Sequence, residues 1–151
     1  KSFKSDNEKD LLLEFKSVLS KYPKNLLLCG HNIKEFDVPY LCRRMLVNSI
    51  GIPEILNMQG KKPWEIQHLD TMELWKFGDY KHYTSLDLMA NILGLPSSKN
   101  EMDGSQVNEF YYMKKDLESI AIYCEKDIVT TAYVYLKLIQ PEACYTLKVI
   151  Q

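Results

Sequence analysis

The chain lacks any apolar run approaching the roughly 18 residues of a membrane-spanning helix. No signal segment with basic, apolar and small-residue regions stands at its amino end. A transmembrane or signal-directed reading therefore has no support, and a cytoplasmic protein is expected. Cysteine is sparse: there are four, Cys29, Cys42, Cys124 and Cys144. None stands in a C-x-x-C pair, which argues against a zinc site or a disulfide framework, and their apolar neighbours are those of reduced core side chains. An excess of either charge is missing too, with 19 basic against 20 acidic residues and a net charge of −1. That balance argues against a broad nonspecific nucleic-acid surface. Internal repeats and composition breaks are also absent. At 151 residues, 46% apolar and 26% charged, the chain reads as one domain over 1–151, with a tail at 142–151 of unassigned packing. A chain of that size can bury about 70% of its unfolded surface.

What is present begins with two acidic segments far apart, HNIKEFDVPYL at 31–41 and YCEKD at 123–127. Around the second, Leu117, Ile120, Ala121, Cys124, Ile128, Thr131, Ala132 and Tyr135 recur at three- and four-residue steps. That is the stripe of an amphipathic helix facing a core. Asp127 falls at the edge of the stripe, where an unpaired carboxylate is costly unless it meets a hard cation or reaches water in a cleft. Tyr123, four residues earlier, shares its face, and a phenol there can hold and orient a water. Taken alone, the segment also fits an edge-exposed carboxylate beside a half-buried tyrosine.

Around the first segment, Asn25–Gly30 is a short apolar run that predicts a buried strand. The chain then turns through His31, Asn32, Ile33 and Lys34 into a helix expected to carry Tyr40, Leu41, Met45 and Leu46 inward. Pro39 suits a first helical turn, which has no backbone partner to lose. Asp37 is thereby placed in the first turn of a helix that follows a strand, and sites in open α/β sheets gather at the carboxyl ends of strands. The alternative is that Asp37 only complements the helix dipole.

Elsewhere, Ser5-x-x-Glu8 predicts a capping box for a helix with Leu11, Leu12, Phe15, Val18 and Leu19 on its apolar face. Residues 66–70 predict a short strand, with Asp70 as the cap of the helix that follows. Thr84-Ser-Leu-Asp87 predicts a second capping box, opening a helix through Leu86, Leu88, Met89, Ile92 and Leu93 to Gly94. A polar loop is expected over 96–105. Asp116 is the expected cap of the long helix and Pro141 its stop.

Asn32-x-x-x-Phe36-Asp37, followed much later by Tyr123-x-x-x-Asp127, resembles the second and third motifs of the DEDDy 3′–5′ exonucleases. LWKFGDYKHYTSLDLMANILGLP (74–96) and DGSQV (103–107) narrow the resemblance to the predicted exonucleases related to the proofreading domain of family B DNA polymerases. It covers roughly residues 8–140. The resemblance implies a ribonuclease H-like α/β fold and two-metal phosphodiester hydrolysis with Mg²⁺ or Mn²⁺ ions about 4 Å apart. It implies that Asp37 and Asp127 bind the metals, that Tyr123 orients the nucleophilic water, and that Asn32 and Phe36 contact the terminal nucleotide. The substrate would be single-stranded or 3′-end nucleic acid, DNA more than RNA. Lys61, Lys62, Lys76, Lys81, Lys114 and Lys115 are further candidate contacts, with Trp64, Trp75, Tyr80 and Tyr83 as stacking surfaces.

The family's first motif, Asp-x-Glu on an opening strand, has no counterpart that reads as a buried strand. Asp6-Asn7-Glu8 fits the letters, but it lies in a polar run better read as a helix cap. The chain therefore reads as the carboxyl-terminal part of a larger protein, incomplete in its opening strands. Alone it is expected to bind metal poorly, to be inactive, and to self-associate through an uncovered sheet edge. The competing reading is a non-catalytic pseudo-nuclease that binds nucleic acid or a protein, and a helical interaction module is a third.

Overall fold

A computed structural model describes residues 1–79, 81–96 and 104–148. They form a mixed α/β structure with a small parallel sheet, arranged as two compact units. One unit is Phe3–Asp70, and the other is Thr71–Gln151 together with Lys1–Ser2.

The first unit opens with helix α1 (Glu8–Leu19), which buries Leu12 and Leu19. Its cap is Asn7 and not Ser5: the Asn7 side chain accepts the N–H groups of Lys9 at 3.0 Å and Asp10 at 3.4 Å. The expected box fails because Glu8 is drawn elsewhere. Arg44 Nε and Nη2 donate to its two carboxylate oxygens at 2.6 and 2.5 Å, and the Asn48 amide adds a third bond at 3.0 Å. This pairing drops the Glu8 pKa to about 2, with the Arg44 hydrogen bond the largest cause.

Strands β1 (Cys29–Gly30) and β2 (Leu69–Asp70) pair in parallel, with Cys29 opposite Leu69 and Gly30 opposite Asp70. Both are shorter than the predicted 25–30 and 66–70, and one cause is His68. Its Nδ1 accepts the Leu28 N–H at 3.3 Å, while its Nε2 bonds the Ile55 carbonyl at 2.9 Å. An imidazole thus occupies a position that a strand partner would take.

Between the strands runs helix α2 (Val38–Val47), entered through a π-helical turn, Ile33–Asp37. Asp37 therefore ends this wide turn and does not sit in the first turn of the helix. Pro39 does fall in the first turn of α2, where its missing N–H costs little, and α-helical geometry starts at Val38, which leaves Asp37 as the cap. Val38 and Met45 are buried, joining Leu12, Leu19, Ile50 and Leu56 in one core. Each such side chain contributes about 1.5–3 kcal/mol. Tyr40 and Leu46 point outward instead of inward, at 50% and 63% exposure, because the packed face of α2 follows Val38, Leu41, Cys42 and Met45.

The second unit contains α3 (Thr71–Lys76), α4 (Leu86–Ile92), α5 (Val107–Glu109) and α6 (Leu117–Ile139). Ser85 caps α4 by accepting from Leu88 N–H at 3.3 Å, one residue later than predicted. The α4 face turned inward is Leu86, Met89, Ala90 and Leu93, leaving Leu88 and Ile92 exposed. Met89 and Ala90 pack with Val134 of α6. That contact sets the rotation of α6, so its buried residues are Thr130, Thr131 and Val134, while Cys124 and Ile128 face out. The sequence stripe was ambiguous because α6 carries apolar residues on several sides. Asp116 caps α6, accepting the Ser119 N–H at 3.0 Å. The Leu147 N–H donates to the Tyr133 hydroxyl at 3.1 Å, which ties part of the tail to α6.

Three of the four cysteines, Cys29, Cys124 and Cys144, are exposed, so only Cys42 resembles the expected core residue. Of the predicted polar loop, residues 97–103 lie outside the described residues, as do Tyr80 and Val149; Gly104–Gln106 forms a 3-10 turn. Among the described residues, no helix is long and apolar enough to cross a membrane.

Candidate active site

Gly30 and Asp70 end the two strands side by side. Just past Gly30, Asn32 takes a left-handed backbone at φ 60 and ψ 23, a conformation that asparagine tolerates better than most residues. The Asp70 carboxylate accepts the N–H of Asn32 at 2.9 Å and that of Lys34 at 3.1 Å. Besides its expected place at the start of the helix that follows, Asp70 thus reaches back to the turn after the other strand. Its register beside Gly30 is the physical reason.

Asp37 is exposed, on the same segment. Crowding around its carboxyl still removes some hydration and raises its pKa from the ordinary aspartate value. The nearby Asp70 charge pushes the same way, while the Asp37 backbone N–H and His31 oppose the shift. Phe36 is 60% exposed and stacks on Tyr40, with ring centroids 6.1 Å apart and planes within 11°. The Asn32 side-chain oxygen is buried and accepts no hydrogen bond. Such an acceptor costs about 1–3 kcal/mol while it stays unpaired, and a water or ligand donor would satisfy it.

In the other unit, Tyr123 and Asp127 are half-buried and lie one turn apart on α6. The Thr131 hydroxyl donates to the Asp127 backbone carbonyl at 2.8 Å. Gly104 lies against the tyrosine, since a Cβ placed there would sit 3.5 Å from the Tyr123 hydroxyl. Of the other candidate contacts, Trp64 and Tyr83 are exposed, but Trp75 packs on the core of its unit.

A cavity of about 280 Å³ opens at the other end of the strands, lined by Lys24, Glu54, Lys61, Glu65 and His68. Lys24 and Glu54 are paired there at 2.8 Å. The cavity includes the candidate contact Lys61 but none of Asn32, Phe36, Asp37, Tyr123 and Asp127, and ligands of open α/β sheets bind at the carboxyl ends of strands. The Asn32–Asp37 segment, at that end, is the better candidate.

Hard oxygen donors of the Asp37 type suit Mg²⁺ and Mn²⁺. A cation beside Asp37 would also offset the repulsion from Asp70. Among the described residues of either unit, no three His, Cys, Asp or Glu side chains converge as a metal site.

Residues 2–147 match the profile of a family described as predicted 3′–5′ exonucleases related to the exonuclease domain of PolB. The chain belongs to this family. No curated protein and no solved structure matches it. Asp70 is the residue of this segment whose role sequence reasoning missed. The available signal was an acidic residue ending one strand opposite the glycine that ends the other, and it becomes legible only once the register is known.

Proposed function

We propose that the protein is a metal-dependent 3′–5′ exonuclease that hydrolyses phosphodiester bonds at nucleic-acid 3′ ends, DNA in preference to RNA. The observation that carries this reading is the family match over 2–147, together with Asn32, Phe36, Asp37, Tyr123 and Asp127 at the motif positions of a ribonuclease H-like DEDDy nuclease. When bound, two Mg²⁺ or Mn²⁺ ions supply activation of the attacking water and stabilisation of the leaving 3′ oxygen. Asp37 and Asp127 act as metal ligands, and the Tyr123 phenol holds the water in line. Phe36, backed by Tyr40, offers its exposed face to the terminal base. Asn32 supplies the polar contact that fixes the nucleotide. A single domain over 1–151, a cytoplasmic setting and self-association through the uncovered edge of the two-stranded sheet belong to the same reading.

The test is a 5′-labelled oligonucleotide incubated with Mg²⁺ or Mn²⁺ and a polypeptide in which residues 1–151 follow an Asp-x-Glu segment, residues 1–151 alone being expected to be inactive. Stepwise shortening with release of nucleoside monophosphates is expected, abolished by chelator and by Asp37→Asn. Binding without shortening, unchanged by Asp37→Asn, would favour a non-catalytic binding module, the reading suggested by the near-neutral charge of −1.

A further inference from the structure

Asp70 is only 3% exposed, and both of its carboxylate oxygens are engaged by backbone amides two residues apart. We propose that Asp70 is a positioning residue of the active site: its carboxylate fixes the turn from which Asn32, Phe36 and Asp37 project. What those side chains do rests on the exonuclease reading; the clamp on the turn does not.

Charge-assisted bonds to two amides hold a peptide segment in orientation as well as in place. Here they flank a residue in left-handed conformation, which persists only where the surroundings over-determine it. Asp70 supplies that constraint on Asn32. Downstream, the Phe36 N–H donates to the Asn32 carbonyl at 3.0 Å, and the Val38 N–H donates to the Ile33 carbonyl. A shift at 32–34 is therefore carried along the turn to Phe36 and Asp37. Within the same segment the Asn32 side-chain oxygen is buried and has no hydrogen-bond partner from the chain.

Asp70→Asn preserves shape but turns an amide NH₂ toward one of the two backbone N–H groups. In the ¹⁵N-labelled chain, the Asn32 and Lys34 amides should lose exchange protection, with shift changes extending through Phe36 and Asp37. The Leu69 amide, bonded to the Leu28 carbonyl at 2.8 Å, should keep its protection. Binding of thymidine monophosphate with Mn²⁺ should weaken about tenfold or more, the scale of effect expected from misplaced positioning groups. Should the variant fail to fold, Asp70→Ser, whose oxygen still accepts one N–H, serves for the same measurements. Parent-like protection at Asn32 and Lys34, or perturbation that stops short of Phe36 and Asp37 with parent-like nucleotide affinity, would overturn the proposal. Nucleotide binding is read in a polypeptide in which residues 1–151 follow an Asp-x-Glu segment; a parent of that kind that binds no nucleotide with Mn²⁺ would instead count against the exonuclease reading, and the amide shifts would still decide whether Asp70 sets the segment.

Discussion

Gly30 faces Ile33 so closely that a Cβ on the glycine would lie 2.7 Å from the isoleucine Cβ and 2.9 Å from its Cδ1. Ile33 packs on the core of its unit and opens the π-helical turn that ends at Asp37. The missing side chain at 30 is what lets that turn fold back onto the end of β1. Gly30→Ala should therefore push the turn outward and destabilise the protein by about 1–3 kcal/mol, as overpacking does. Urea unfolding measures the loss, and a parent-like midpoint would mean that the turn yields freely.

Glu8 and Arg44 make acid stability predictable. The Glu8 pKa is about 2 in the folded protein against an ordinary 4.5. A depressed carboxylate contributes stability that is present above its unfolded value and is lost as pH falls from about 4.5 toward 2. The two side chains are 41% and 36% exposed, so solvent screening reduces the contribution to about 1 kcal/mol. Glu8→Gln should flatten the acid limb of stability between pH 5 and pH 3 by about that amount. Superimposable limbs would show that the pair contributes nothing measurable.

His68 sets a second window at higher pH. Burial is the main cause that lowers its pKa from 6.5, and Lys34 and Lys61 add to it against the Ile55 hydrogen bond. Protonation would place a hydrogen on Nδ1 facing the Leu28 N–H that it now accepts. Because the unfolded chain takes the proton first, stability should decline as pH falls below about 6.5. His68→Asn, less stable throughout, should lose that slope. A slope that survives the substitution would belong to another group.

In an active polypeptide, Asp127→Asn should abolish hydrolysis with little change in fold, since it removes a ligand charge at constant volume. Tyr123→Phe deletes only the hydroxyl and should slow turnover by about 10²-fold, the scale of a proton-handling group. Asp6→Asn should leave activity intact, because Asn7 caps α1 and Glu8 is committed to Arg44. Full activity in Tyr123→Phe across pH would reduce the tyrosine to a packing residue. Loss of activity in Asp6→Asn would make the 6–8 triplet part of the site.

The sequence by itself determined the order of the main elements and the residue types at the motif positions. Hydrophobic spacing marks α1 and α6, Asp116 and Gly94 mark helix ends, and the Asn32–Asp37 motif stands beside its strand, all from information local to the chain. The rotation of α6 was decided only in three dimensions, because apolar residues lie on several sides of that helix and its packing against Met89 and Ala90 selects Val134. The role of Asp70 was decided in the same way. Its partners, Asn32 and Lys34, are remote in sequence, and no local pattern states that two strands pair with Gly30 opposite Asp70. A buried carboxylate must satisfy its oxygens with whatever donors the register brings. Here register, which only the folded chain possesses, supplied the amides of the motif itself.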